Sequence, residues 1–291
     1  MSFYRGDLVA AEEHFARLSG FLEEVGFRQA PAVVAVAIGN ASRSAWILGY
    51  PDKARERMAQ LTAFARDSKN SDYPAFSLLY ECWLLLLMKE PHHTHDAATR
   101  ALAICEEYGF PLQANQVRIL MGWARAQLGS AREGVALIRE GLTGYTESGA
   151  GLGIADHLTH LAEAQALEGR SDDALSTIEQ ALHANREELV FRPNSLTCRG
   201  ELRLKRGQTE LAEADFREAI ALARKTQAKT YELCATISLA RLLRDTGRRA
   251  EACSMLTEIY NWFTEGFDTA DLKDAKALLA ELNDAARTSN G

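Results

Sequence analysis

One spacing of small and apolar residues recurs along almost the whole chain of 291 residues. A glycine is followed after five residues by Ala or Gly, after four more by a larger apolar residue, and after three more by an apolar or small residue. The six copies begin at Gly6, Gly49, Gly129, Gly169, Gly207 and Gly247. From Gly129 onward these glycines lie 40, 38 and 40 residues apart. A period of this size is typical of a helical solenoid.

Each part of the spacing has a mechanical reason. Glycine adopts at low cost the left-handed conformation that ends many helices. The intervals of four and three then place Ala174, Ile178 and Ala181 on one face of the next helix. Small residues on that face allow two antiparallel helices to approach closely. The sequence therefore predicts an all-α fold, built as a stack of antiparallel helix pairs.

This pattern resembles the tetratricopeptide (TPR) repeat. When the turn glycine is taken as the fifteenth motif position, the eighth position is small in all six pairs, namely Ser42, Cys82, Gly122, Ala162, Gly200 and Ala240. The resemblance implies a right-handed superhelical solenoid in which the first helix of each pair lines the concave side. In the second pair Lys89 stands in place of the glycine, and extra residues predict an enlarged turn from Glu90 to His95.

The repeat register predicts one continuous solenoid domain with four parts. Residues 1–29 contain the second helix of a truncated N-terminal repeat, and residues 30–265 form six helix pairs. Residues 266–284 form a capping helix, and residues 285–291 are a disordered tail. The predicted pairs are 31–48 with 51–67, 72–88 with 95–108, 111–128 with 131–147, 153–168 with 171–188, 191–206 with 209–226, and 229–246 with 249–263. A chain that begins inside a repeat favours either a fragment of a longer protein or an end that seals against another element.

Charge and cysteine usage narrow the class of protein. The formal net charge of −7 argues against nucleic-acid binding, which needs clustered Lys and Arg. No segment has the length and apolar character of a membrane span or a secretion signal. The five cysteines are scattered and contain no Cys-x-x-Cys pair, which favours small core residues in a reducing cytoplasm.

Three groups of residues have a composition that could support chemistry, and each has a plainer interpretation that we favour. His92, His93 and His95 with Asp96 could bind a transition metal, but flexible surface histidines explain them better. His157, His160 and Glu163 could share a metal, but residues at successive steps of three drift around a helix and do not stay on one face. Gly149, Gly151 and Gly153 lack the rest of a phosphate-binding motif. We expect no enzyme activity, no metal and no cofactor.

A partner-binding groove is the better prospect for function. The motif positions that point into the concave side are filled near the N-terminal end by Arg43, Trp46, Phe76, Leu79, Trp83 and Trp123. Exposed aromatic residues of this kind mark contacts with a protein or peptide partner, and Arg43 would supply charge for an acidic or C-terminal group. The alternative, that these tryptophans pack in the core between repeats, has equal weight.

A second, narrower resemblance covers residues 150–282. The stretches 199–202, 214–224 and 232–242, and the segment from Tyr260 to Lys276, resemble the C-terminal TPR region of bacterial class III adenylate cyclase-related proteins with a central ATPase module. The resemblance implies a regulatory or sensor region of a signalling protein, with the cyclase and ATPase domains elsewhere in the same polypeptide. Neither activity has its residues here.

The sequence therefore predicts a cytoplasmic, non-catalytic TPR scaffold for protein or peptide binding. Two alternatives remain open. The chain could be a segment of a cyclase or ATPase polypeptide that carries that activity elsewhere, or a sensor of a small ligand near Arg43 and Trp83. Whether it forms a homo-oligomer also stays open.

Overall fold

The computed structural model describes residues 1–19, 31–67 and 72–288. Every regular element within these ranges is an α-helix. The helices in chain order are α1 Leu8–Ser19, α2 Pro31–Ile47, α3 Pro51–Asp67, α4 Asp72–Leu87, α5 Pro91–Tyr108, α6 Pro111–Gln127, α7 Ala131–Glu147, α8 Ile154–Leu167, α9 Ser171–Ala184, α10 Arg192–Lys205, α11 Thr209–Lys225, α12 Lys229–Asp245, α13 Arg249–Tyr260 and α14 Ala270–Thr288. The all-α prediction is confirmed, and most helix bounds lie within a few residues of those expected.

The turns between paired helices have the left-handed residue that the sequence predicts, and only the turn before α5 differs in length from the prediction. Gly49 and Gly129, for example, have φ of 96° and 95°, in the left-handed region. Lys89, which replaces the expected glycine, also has a positive φ, of 58°. However, α5 begins at Pro91. The prediction of an enlarged turn to His95 is therefore wrong, because proline suits the first helical position, where no backbone N–H is needed.

Small residues lie where the paired helices cross, as the spacing predicts. A Cβ atom at Gly134 in α7 would collide with the carbonyl oxygen of Gly122 in α6. Ala174 in α9 and Ala212 in α11 are fully buried at the equivalent positions. These close approaches hold each helix pair together.

The first helices of the pairs form the inner wall of the solenoid. In the order α2, α4, α6, α8, α10 and α12, each contacts the next, and α12 also contacts α2. Across this last contact the hydroxyl of Thr230 donates to the backbone oxygen of Trp46 at 2.5 Å. The inner helices therefore close into a ring, and the interior is enclosed rather than an open groove.

The segment after α13 completes the closure on the outside of the ring. The carboxylate of Glu265 accepts hydrogen bonds from the backbone N–H groups of Asp52 and Lys53 at 2.9 and 3.3 Å, at the start of α3. Arg55 forms an ion pair with Asp268 at 3.0 Å. The first and last parts of the repeat array are thus joined directly.

Both ends of the chain pack on the array. α14 buries Leu272, Ala275, Leu278 and Leu282, which lie on one face as expected for a capping helix. It continues to Thr288, beyond the predicted end at 284. Residues 289–291 of the predicted tail and 20–30 near the N-terminus lie outside the described residues.

The N-terminal segment closes one end of the ring. Phe3 is buried with its ring 5.9 Å from that of Phe191, in an edge-to-face arrangement. The backbone N–H of Val190 donates to the oxygen of Tyr4 at 3.3 Å. This segment therefore seals the interior on one side.

Candidate functional site

The axis of the ring holds a buried cluster of charged and aromatic side chains. The guanidinium of Arg43 lies over the rings of Trp83, Phe3 and Phe191, with distances of 4.6, 5.0 and 5.1 Å to the ring centroids. Its Nη2 is 3.9 Å from Oδ2 of Asp156 in α8, and both side chains are almost fully buried. Cation–π contacts and one carboxylate therefore hold the charge of Arg43 inside the protein.

The predicted groove residues lie mostly inside this wall. Arg43, Trp46, Leu79, Trp83 and Trp123 are buried, and Phe76 is half-buried. Trp83, only 4% exposed, stacks on the imidazole of His157 with 5.3 Å between ring centroids. Of the two interpretations that the sequence leaves open for these tryptophans, burial is the one found in the free chain, and whether the groove residues bind a partner stays a prediction.

His160 lies between two carboxylates on its own helix. Its Nε2 is 3.6 Å from Oδ1 of Asp156, and its Nδ1 is 3.7 Å from Oε2 of Glu163. Burial alone would lower the pKa of His160, but the carboxylates of Asp156 and Glu163 outweigh it and raise the pKa to about 10. His160 is therefore an imidazolium at neutral pH.

The neighbouring His157 behaves in the opposite way. Burial between Trp83 and Tyr145 lowers the pKa of His157 to about 3, despite the attraction of Asp156. This imidazole is neutral and neither of its ring nitrogens has a hydrogen-bond partner. No group of three His, Cys, Asp or Glu side chains in the described ranges has an arrangement that could hold a metal.

A cavity of about 430 Å³ opens beside this cluster. Every inner helix contributes to its wall, with Trp46 from α2, Leu86 from α4, Trp123 from α6, His160 from α8, Cys198 from α10 and Ile237 from α12. Its volume falls within the usual range of about 300–1,000 Å³ for sites that hold small ligands. The cavity is the strongest candidate site in the described part of the chain.

Charged side chains surround the mouth of the cavity in pairs. Lys89 contacts Asp271 with 2.6 Å between Nζ and Oδ1, and Arg241 contacts Asp274 at 2.5 Å. Glu201 accepts a hydrogen bond from the hydroxyl of Ser238 at 2.8 Å. The mouth is therefore polar and of mixed charge, whereas the tryptophans and aliphatic residues make the wall apolar.

Two thiols and one indole complete the interior. Burial raises the pKa of Cys198 and Cys234 well above the usual value, so both are neutral thiols. The indole N–H of Trp123 donates to Oε2 of Glu163 at 2.9 Å. Sequence reasoning noted Trp123 and Glu163 separately, but it missed this bond and the pairing of Arg43 with Asp156. Trp123 and Glu163 lie on the neighbouring inner helices α6 and α8. Arg43 and Asp156 lie on α2 and α8, which are not neighbouring helices, and they meet across the interior of the ring.

The histidines near position 92 are not among the residues that line the cavity, although Pro91 beside them is. His92, His93 and His95 are in the first turn of α5. His93 is exposed, and its Nδ1 is 2.9 Å from the carboxylate of Glu90. Gly149 and Gly153 have positive φ in the connection between α7 and α8, as in a tight turn.

Comparisons with known proteins agree on the fold. No family model matches the chain, and no curated protein matches it in sequence. Among solved structures, NprR in complex with its cognate peptide NprX is 14% identical, with a TM-score of 0.65 over 97% of this chain and 79% of that chain. A Rap protein complexed with Competence and Sporulation Factor is 12% identical, with a TM-score of 0.60 over 93% and 80%. The Cut9-Hcn1 hetero-tetramer of APC/C is 12% identical, with a TM-score of 0.63 over 98% of this chain and 48% of that chain.

These similarities show the fold class of the chain. The chain has the fold of the TPR-like helical repeat proteins, as the spacing predicts. The resemblance to cyclase-related proteins finds no support in the comparisons. Within the described ranges, no helix combines the length and the apolar character that crossing a membrane requires.

Proposed function

We propose that this chain is a non-catalytic binding scaffold whose central cavity takes the end of a short peptide, or an anchoring segment of a protein partner. The observation that carries the proposal is the convergence of all six inner helices on one cavity of about 430 Å³. An apolar wall with a polar rim is the usual composition of a site that anchors a partner.

The structural neighbours support the same class of activity. NprR and Rap are described in complex with a peptide and with a factor, and Cut9 in complex with Hcn1. We extend from these proteins only the general role of a TPR-like scaffold, since identities of 12–14% carry the fold and not the ligand. The finer form of the proposal is a regulatory region of a larger nucleotide-dependent signalling protein, and it rests on the sequence resemblance alone.

A sensor of a small ligand is a second candidate, and one observation favours it. The interior is closed by the α2–α12 contact and by the N-terminal segment, so the space left suits a small ligand better than a long extended peptide. Both candidates use the same cavity and differ in the size of the occupant.

A blocking variant tests the proposal. Ala166 lines the cavity and is half-buried, so Ala166→Trp should fill the space without removing a core side chain. Ala184→Trp, at the exposed end of α9, is the matched control. A pool of synthetic heptapeptides, half with free and half with amidated C-termini, would be selected on the immobilised protein and identified by mass spectrometry.

We expect peptides enriched on the parent protein to lose roughly tenfold or more in affinity for Ala166→Trp, because a central buried contact commonly contributes about 2 kcal/mol. The same peptides should bind the Ala184→Trp protein normally. A pool from which nothing is enriched, or enrichment that Ala166→Trp leaves intact, would contradict peptide binding in the cavity.

A further inference from the structure

The charged side chains that line the central cavity balance one another. The described residues of its wall include equal numbers of acidic and basic side chains. The acidic ones are Glu163, Glu201, Asp271 and Asp274, and the basic ones are Lys89, His160, Lys205 and Arg241. A wall of this composition has no net charge, and it therefore gives no preference to a cation or to an anion.

Most of these charges are also paired with each other at close range. Lys89 with Asp271 and Arg241 with Asp274 form ion pairs at the mouth. The imidazolium of His160 has a carboxylate 3.6 Å from one ring nitrogen and another 3.7 Å from the second. A charged ligand would therefore lose its hydration on entering the cavity without gaining a free counter-charge, which is costly.

The two remaining charges are placed where they matter least. Glu201 and Lys205 lie one turn apart on α10, and both are exposed to solvent. Charges in contact with water interact weakly with their surroundings. They are also opposite in sign, so together they leave the mouth of the cavity neutral.

The rest of the wall is apolar except at one buried hydroxyl. The large apolar side chains of the wall include Trp46, Leu86, Trp123, Leu202 and Ile237. Tyr231 also lines the cavity and is only 3% exposed, and its hydroxyl has no hydrogen-bond partner among the described residues. Buried polar groups are nearly always paired in folded proteins. Burial raises the pKa of this hydroxyl, so it keeps its proton and can donate it to an acceptor.

We propose that the cavity binds an uncharged group with a hydrocarbon body and one acceptor oxygen, to which the hydroxyl of Tyr231 donates a hydrogen bond. The inference rests on the proposed function in placing the ligand in the same cavity. A small alcohol presents this chemistry, and so does an apolar side chain of a peptide with its neighbouring backbone carbonyl. The experiment distinguishes the two.

Five small probes that share a phenyl ring test the charge of the ligand. They are 2-phenylethanol, ethylbenzene, phenethylamine, phenylacetate and phenylalanine, which are respectively neutral with an oxygen, neutral without one, cationic, anionic and zwitterionic. A ligand that binds the folded state raises the melting temperature. We expect 2-phenylethanol to give the largest increase, ethylbenzene a smaller one, and the three ionic probes none. Ala166→Trp should abolish the increase, because it fills the cavity.

A neutral peptide, acetyl-Ala-Phe-Ala-amide, distinguishes the two sources of the ligand. If it binds more tightly than 2-phenylethanol, the cavity anchors an apolar side chain of a partner. If only 2-phenylethanol binds, the ligand is a small molecule.

Tyr231→Phe tests the hydrogen bond. It should weaken the binding of 2-phenylethanol roughly threefold to tenfold, as expected for the loss of one hydrogen bond between neutral groups, and should leave that of ethylbenzene unchanged. The matched control is Tyr108→Phe, since Tyr108 is 52% exposed and does not line the cavity. Affinities would be measured by calorimetry.

Two variants of α10 test the charge balance without changing the buried wall. Lys205→Gln leaves the lining with an excess negative charge and should strengthen the binding of phenethylamine roughly twofold to fivefold. Glu201→Gln leaves an excess positive charge and should do the same for phenylacetate. Neither should change the affinity for ethylbenzene.

Several results would overturn the inference. An ionic probe that raises the melting temperature as much as 2-phenylethanol, an equal loss of both neutral probes in Tyr231→Phe, or no response to any probe each contradicts it. Peptides that are enriched on the parent and blocked by Ala166→Trp, but that bind through a charged group, would leave the proposed scaffold function intact and remove only this inference. Binding of 2-phenylethanol without any enriched peptide would do the reverse.

Discussion

His157 and His160 lie one turn apart on α8, yet the pKa of His157 is lowered and that of His160 is raised. Both are fully enclosed, and burial disfavours the protonated form of each. The difference comes from their neighbours, since His160 has Asp156 and Glu163 within 4 Å of its ring nitrogens. His157 instead faces the rings of Trp83 and Tyr145. At this scale the positions of two carboxylates decide the chemistry of the site.

The raised pKa of His160 predicts a pH-dependent contribution to stability. A group whose folded pKa, about 10, exceeds its unfolded value of about 6.5 stabilises fully below pH 6.5 and loses that contribution as the pH rises towards 10. The difference in unfolding free energy between the parent protein and His160→Gln should therefore shrink from pH 6.5 to pH 10. Urea titrations at several pH values measure this difference.

The control for this experiment is His92→Gln, at an exposed position in the first turn of α5. Its difference from the parent should stay small and nearly constant over the same range. A gap for His160→Gln that stays constant, or widens with pH, would show that His160 is not protonated in the folded protein.

At the scale of the helix pair, stability depends on how closely the two backbones approach. Gly134 faces Gly122 with no room for a methyl group. Alanine normally stabilises a helix over glycine by up to about 1 kcal/mol. The collision with a backbone oxygen should reverse that preference, since a backbone atom cannot move aside like a side chain.

We therefore expect Gly134→Ala to destabilise the protein by about 1–3 kcal/mol in urea unfolding. Gly151→Ala is a matched control, because a Cβ there would have no heavy atom within 4 Å and the residue's φ is not in the left-handed region. The control should be neutral or slightly stabilising. Equal stability of the two variants would mean that α6 and α7 are not in the register described.

The helix pairs were predictable because their determinants are local. The glycine of a turn and the small residues that follow it are within one repeat, so Gly129, Gly134 and Ile138 suffice to place α7. The start of α5 does not follow from the repeat pattern, because Lys89 replaces the turn glycine and Pro91 alone marks the first helical position. The candidate site was predicted far less well. Its burial depends on the contact of α2 with α12, between segments about 200 residues apart, which no repeat pattern encodes.

The whole molecule is organised by the closure of the ring. Most contacts in a solenoid join only neighbouring repeats, and its stability is then a sum of local terms. Here Thr230 bonds to Trp46, and Trp262 packs on Gly49, so the ends of the array are held together. The same contacts form part of the cavity wall through Trp46 and Asp271. Opening the ring would therefore also dismantle the site.

Two glycines with the same backbone conformation allow the closure to be measured. Gly49 and Gly129 have φ of 96° and 95°, so alanine at either position carries a conformational cost of about 1–2 kcal/mol. A Cβ at Gly49 would also lie 2.6 Å from Cζ3 of Trp262, whereas one at Gly129 would meet nothing within 4 Å. The difference between the two variants thus isolates the contact between the ends.

We expect Gly49→Ala to destabilise the protein by about 1–3 kcal/mol more than Gly129→Ala, since it adds overpacking to the shared backbone cost. Because the collision pushes residues 261–272 away from α2 and α3, the radius of gyration measured by small-angle scattering should increase only for Gly49→Ala. Amide exchange should also accelerate in α12 and in the segment after α13. If both variants lose the same stability and keep the parent radius, the ends of the array contribute nothing to each other, and the cavity must be held by the neighbouring repeats alone.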